Sequence, residues 1–110
     1  MFDITKVGDV TVIKLSGRVD VQSALELEKE MNNILSSGSN KIVFDMNDVQ
    51  HLSSSGIRVL ISTLRRTMSS NGWVRLARVN QSVKKILKLV ELESLFTYYE
   101  TVEDAIKDTE

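Results

Sequence analysis

The stretch Asp45-Met46-Asn47-Asp48-Val49-Gln50-His51-Leu52-Ser53-Ser54-Ser55-Gly56-Ile57 decides how this chain is organised. Just before and into it, residues 41–46 hold the apolar run Ile42-Val43-Phe44, the signature of a strand covered on both faces. After it, Ile57, Leu60, Ile61, Leu64 and Met68 recur at helical spacing, with Arg58, Ser62, Arg65 and Ser69 mostly off that stripe. Asn71-Gly72 closes the helix. The stretch is therefore a passage from buried strand through loop to helix start, in which Asp45 ends the strand and Asp48 stabilises a turn. With Ser53 as N-cap, Leu52 and Ile57 fall at the two positions of a hydrophobic staple. Ser54, Ser55 and Gly56 then occupy the first three helical positions, whose N–H groups lack intrahelical acceptors and favour an anion. From the residues alone two readings stay open: three serines that only start a helix, or a place prepared for a phosphoryl group.

Working outward, residues 2–7 and 10–16 are β-branched runs flanking Gly8-Asp9, which suits a hairpin with a type II′ turn. From Val21 the period changes: Ala24, Leu27, Met31, Ile34 and Leu35 predict an amphipathic helix that stops near Gly38. Trp73 to Val79 reads as a strand. Val83, Ile86, Leu87 and Val90 mark a third helix, residues 97–100 a short extended piece, and Val102, Ala105 and Ile106 a terminal helix. The fold class predicted is α/β: a mixed β-sheet that opens with a β-hairpin and continues in alternating β/α units, helices mainly on one face. At 110 residues the whole chain, 1–110, fits a single domain.

A second functional candidate is Gly17-Arg18-Val19-Asp20. Asp20 stands where a strand gives way to a helix, so N-cap and binding group are both open roles for it. Loops leaving the C-terminal ends of parallel strands gather at one edge. The loops of Asp20 and Ser55 become neighbours if their strands are adjacent.

Composition removes several classes. Fourteen basic and 15 acidic residues leave a net charge of −1, whereas nucleic-acid binders carry a basic excess. Arg65-Arg66 and Lys84-Lys85 fit solvated helix faces. No apolar stretch approaches a membrane span and the first residues show no secretory pattern, so a cytoplasmic protein without membrane partners is expected. The absence of cysteine removes disulfides and thiolate metal sites. His51 is the single histidine and reads as an exposed loop residue. No G-x-S-x-G elbow, H-E-x-x-H motif or phosphate-binding glycine loop is present, so no catalytic residue, metal or cofactor is assigned.

Taken together, Gly17-Arg18-Val19-Asp20-xxx-Ala24, Ile42-Val43-Phe44-Asp45, Ser53-Ser54-Ser55-Gly56-Ile57 and Ser82-Val83-xx-Ile86-Leu87 resemble the STAS domain. The resemblance is closest to its single-domain bacterial anti-sigma factor antagonists and runs from about residue 2 to 107. It implies a partner-switching cycle. The unphosphorylated antagonist binds an anti-sigma factor that is also a serine kinase, and so frees a sigma factor. The kinase phosphorylates the serine before the glycine, here Ser55 with Ser54 as rival, and a metal-dependent serine phosphatase resets it. The implied partner surface comprises Asp20, Ser53, Ser54, Gly56 and Ile57 on a protein that is a monomer when free. The family commonly has Asp where this chain has Ser53. Serine caps a helix equally well, though it brings no charge to that position for recognition by a phosphatase or kinase. The alternative is a STAS scaffold subunit of a sensory or lipid-transport complex, without a sigma factor cycle.

Overall fold

The structure, a computed structural model, describes residues 2–108. Strands β1 (Phe2–Val7) and β2 (Val10–Val19) pair antiparallel, with Val7 opposite Val10. Of the two residues joining them Gly8 has φ +63 and Asp9 is not left-handed, the pattern of the expected type II′ turn. There follow α1 (Val21–Ser36), β3 (Lys41–Leu52), α2 (Ser54–Ser69), β4 (Trp73–Ala77), α3 (Gln81–Leu89), a 3-10 turn (Glu93–Leu95), β5 (Thr97–Tyr99) and α4 (Val102–Lys107).

The sheet order is β1-β2-β3-β4-β5, with every pair after the hairpin parallel. Because this order never doubles back, right-handed crossovers all turn the same way and place α1, α2 and α3 on one face. There Ala24, Leu27, Met31, Leu60, Val83 and Leu87 pack on Ile13, Leu15, Ile42, Phe44 and Leu76. The mixed sheet with helices mainly on one face is thus as the sequence predicts. The exception is α4, whose Ala105 covers Val10, Val12, Val43 and Ala77 on the other face. Six residues make a marginal helix, and Arg75 fastens it. Its guanidinium donates to the carbonyls of Ala105 (2.8 Å) and Asp108 (2.7 Å) and lies 3.7 Å from the centroid of Trp73. Those carbonyls lie at the negative, C-terminal end of α4, where a cation is favoured.

Several local expectations are corrected. β3 runs to Leu52 rather than stopping at 46, and β2 extends beside it to Val19. Two register shifts, between Lys14 and Ser16 and between Gly17 and Arg18, let the longer β3 segment keep pace. Asp45 therefore does not end a strand. It is 4 % exposed and held by Arg78 through two hydrogen bonds of 2.9 and 2.7 Å. Asp48 lies in β3, not in a turn, and meets Lys14 at 3.3 Å. His51 is half-buried in the same strand, opposite Arg18, instead of on an exposed loop. β4 ends at Ala77 rather than Val79 because Arg78 turns left-handed at φ +56. In α2, Met68 is exposed, while Thr63 and Thr67 are buried with their hydroxyls donated to Val59 and Leu64 carbonyls.

Candidate functional site

Val19 and Leu52 face each other at the last rung of the β2–β3 ladder, and each strand then enters a helix. The Ser53 N–H donates to the Val19 carbonyl at 2.9 Å, which ties the start of α2 to the end of β2. The strands are adjacent, so the loops of Asp20 and Ser53 do lie side by side.

Asp20 is the N-cap of α1. Its carboxylate accepts from the Ser23 N–H at 3.0 Å, and its own N–H donates to the Ser23 hydroxyl at 2.9 Å, a reciprocal capping box. The Ser23 N–H first, and the Ser23 hydroxyl second, hold the Asp20 carboxyl below its ordinary value. A solvent-facing negative charge thus stands fixed beside the start of α2.

At that start Ser53 caps as expected, its hydroxyl accepting from the Gly56 N–H at 3.2 Å. Leu52 and Ile57 are both buried in the main core, consistent with a staple. Ser54 is exposed at N1 and Ser55 half-buried at N2. The N–H groups of these two residues precede any intrahelical acceptor. Gly56 and Ile57 point the other way. Ile57 is 7 % exposed, and a Cβ on Gly56 would come within 2.8 Å of both Leu52 Cδ1 and Val19 Cγ1. As a side-chain contact for a partner Ile57 is therefore corrected to a core residue. Glycine at 56 suits the close inward packing of the helix on the two strand ends, since a Cβ there forces one of these side chains to shift. The outward surface is Asp20, Ser53, Ser54 and Ser55.

Sequence reasoning missed what lies next to it. A shallow groove of about 200 Å³ between α1 and α2 is lined by Val21, Leu25, Glu28, Ser55, Arg58 and Val59, with Ala24. Val21 is 62 % and Leu25 50 % exposed, two apolar side chains without cover beside Ser55. The available signal was that neither fits the buried stripe of α1. Chemically the site offers a hydroxyl at a helix N-terminus, a fixed carboxylate and an apolar groove: features for contact and modification. Among the described residues no cluster of His, Cys, Asp and Glu has the makings of a metal site, and no helix is long and apolar enough to cross a membrane.

Known proteins share this fold. A candidate anti-sigma factor antagonist of Thermotoga maritima is 27 % identical over 109 residues, 98 % of this chain and 96 % of the relative. A crystal structure of a protein so described from that organism superposes with a TM-score of 0.89 at 26 % identity, covering 96 % of this chain and 92 % of the other. The anti-sigma factor antagonist SpoIIAA in its unphosphorylated form gives 0.87 at 20 % identity, covering 96 % and 93 %. The Bacillus cell fate determinant SpoIIAA in its phosphorylated form superposes on this chain with a TM-score of 0.80 at 19 % identity over 96 % of each chain. The model of the STAS domain matches residues 1–105, and the chain belongs to that family.

Proposed function

We propose that this chain is a non-enzymatic anti-sigma factor antagonist that acts by partner switching, with Ser55 as its phosphorylated residue. The supporting observation is the placement of Ser55: half-buried at N2 of α2, beside the fixed Asp20 carboxylate and at the head of the α1–α2 groove. The relatives' names supply the partner class, an anti-sigma factor. Unmodified, the start of α2 and the groove receive the anti-sigma factor, which is also the serine kinase. Once Ser55 is phosphorylated, a partner packing there has to desolvate a group of about −1.5 to −2 charge. That costs several kcal/mol, on the order of the penalty for burying any poorly compensated charge. The complex dissociates, and a metal-dependent serine phosphatase restores the binding form. The protein works in the cytoplasm as a one-domain monomer between partners.

The test is intact-mass analysis with phosphosite mapping after incubation with ATP and the cognate kinase. One phosphate is expected, on Ser55, and none on Ser55→Ala. Phosphate mainly on Ser54 overturns the site. A lysate that yields no kinase in a nucleotide-dependent complex, and a protein without phosphoserine, overturn the switch in favour of a scaffold role.

A further inference from the structure

Arg58 lies one turn along α2 from Ser55 and makes no hydrogen bond or ion pair among the described residues. Residues three apart on a helix are surface neighbours, with Cβ atoms about 5–6 Å apart. Helical side chains also lean toward the N-terminus, so the Arg58 side chain tilts back over the turn that carries Ser55. Both line the same groove, across from Val21, Leu25 and Glu28 on α1.

We propose that Arg58 is the internal counter-ion of a phosphate on Ser55, closing onto it at the head of the α1–α2 groove beside Val21 and Leu25. The inference rests on the reading of Ser55 as the modified residue and adds how the modified state is held. A guanidinium presents paired donors in the geometry of phosphate oxygens, and an uncommitted arginine gives up no existing bond to make that contact. In the unmodified protein the groove offers two exposed apolar side chains over a floor of Ala24 and Val59. A hydrated ion pair at its head replaces that apolar surface with one an apolar partner side chain does not match. Ser54 is four residues from Arg58 and also within its reach, but it is exposed and does not line the groove. A phosphate there pairs without entering it.

The experiment uses the full chain with phosphoserine installed at position 55 during synthesis, so that no kinase is needed. Phosphorus NMR follows the second ionisation of the phosphate, near pH 6 for an unperturbed phosphoserine. The groups facing it are Arg58 and the open N–H groups of α2, which favour the dianion, and Asp20 and Glu28, which oppose it. Arg58→Gln should raise the midpoint by about 0.2–0.7 pH units, the range of an exposed ion pair. Arg58→Lys should recover part of the difference, and Glu28→Gln should shift it the opposite way. In the wild-type chain phosphorylation should also move the Arg58 Nε–H resonance. An unchanged midpoint in Arg58→Gln, with amide spectra alike, overturns the proposal, as does an unmoved Nε–H signal. Release of the anti-sigma factor by the phosphorylated chain is measured separately. Release without the Arg58 shift removes the counter-ion and leaves the switch; the shift without release removes the switch and leaves the counter-ion.

Discussion

The starts of α1 and α2 sit at the ends of neighbouring parallel strands, yet they complete their hydrogen bonds differently. At α1 the third helical residue is Ser23, and it and Asp20 satisfy each other in both directions. At α2 the third residue is Gly56, which has no side chain to reach back, and the Ser53 N–H goes to the Val19 carbonyl on β2. One start closes on itself. The other is closed in part by the strand next door, and Ser54 and Ser55 are left without a structural task. A side chain that the fold does not need is available to a partner, which is why the second start is the candidate for modification.

The largest effect expected from breaking this contrast is at Gly56. Alanine is the better helix former by about 0.5–1 kcal/mol. Its Cβ would meet Leu52 Cδ1 and Val19 Cγ1 at 2.8 Å, however, and overpacking a core costs about 1–3 kcal/mol. Leu52 can turn its terminal methyl aside, whereas the β-branched Val19 is stiff. We expect Gly56→Ala to lose about 1–2 kcal/mol net in urea denaturation. A neutral result would mean that the glycine is there for a partner's approach and not for this packing.

Next is the cap. Ser53→Ala removes the acceptor for the Gly56 N–H and should cost about 1 kcal/mol. Ser53→Asp should be neutral or slightly stabilising, because a carboxylate also interacts well with the helix dipole. A clear loss for Ser53→Asp in the same denaturation series would show that repulsion from Asp20 outweighs the dipole.

The two starts should also differ in acid. The folded-state pKa of Asp20 is depressed, chiefly by the Ser23 N–H. Its contribution is therefore fully present above the unfolded value of about 3.9 and is lost as the pH falls through the folded value. Asp20→Asn keeps an acceptor but no proton to gain, so stability should decline less steeply below about pH 4. Asp9 and Asp48, also depressed by Lys41 and Lys14 respectively, stay as a common background. Denaturation midpoints between about pH 2 and pH 5 check this, and identical slopes would show that the box does not depend on the carboxylate's charge.

The architecture was legible because its signals are local and repeated. The Gly8-Asp9 turn, the helical stripe of Ala24, Leu27 and Met31, and the run Ile42-Val43-Phe44 each specify one element. The second half of β3 was not legible. Asn47, Asp48 and Gln50 are exposed there while Val49 and Leu52 are buried, a broken alternation that reads as loop until the shifted ladder with β2 is seen. Asp45 and Arg78 were hidden for another reason: 33 residues separate the partners, and nothing around Arg78 announces a left-handed backbone. At the site, Ser53 and Asp20 followed capping rules that sequence carries well. The groove did not: Val21 and Leu25 fall off the buried stripe of α1, but two off-stripe apolar residues do not say that α1 and α2 leave a groove between them.

The smallest expected effect is that of a Ser55 phosphate on the stability of the fold, and it separates a local charge switch from one that works by unfolding. The phosphate brings about −1.5 to −2 charge to N2 of α2. There it meets the open N–H groups and the positive end of the dipole, worth about 0.3–1 kcal/mol. Asp20 opposes it, but that carboxylate faces solvent, and screening with a Debye length of about 8 Å weakens the repulsion. Attraction should match or exceed repulsion, so the melting temperature should stay level or rise by a few degrees. The matching position of α1 is Gln22, whose N–H already faces the Asp20 carboxylate. Phosphoserine installed at position 22 should therefore lower the melting temperature, since it meets occupied donors and a fixed anion. Calorimetry on the two singly phosphorylated chains, beside the unmodified one, compares the starts directly. If phosphate at 55 lowers the melting temperature as much as phosphate at 22, or collapses the amide dispersion, the two starts are equivalent and release of the partner proceeds through disorder.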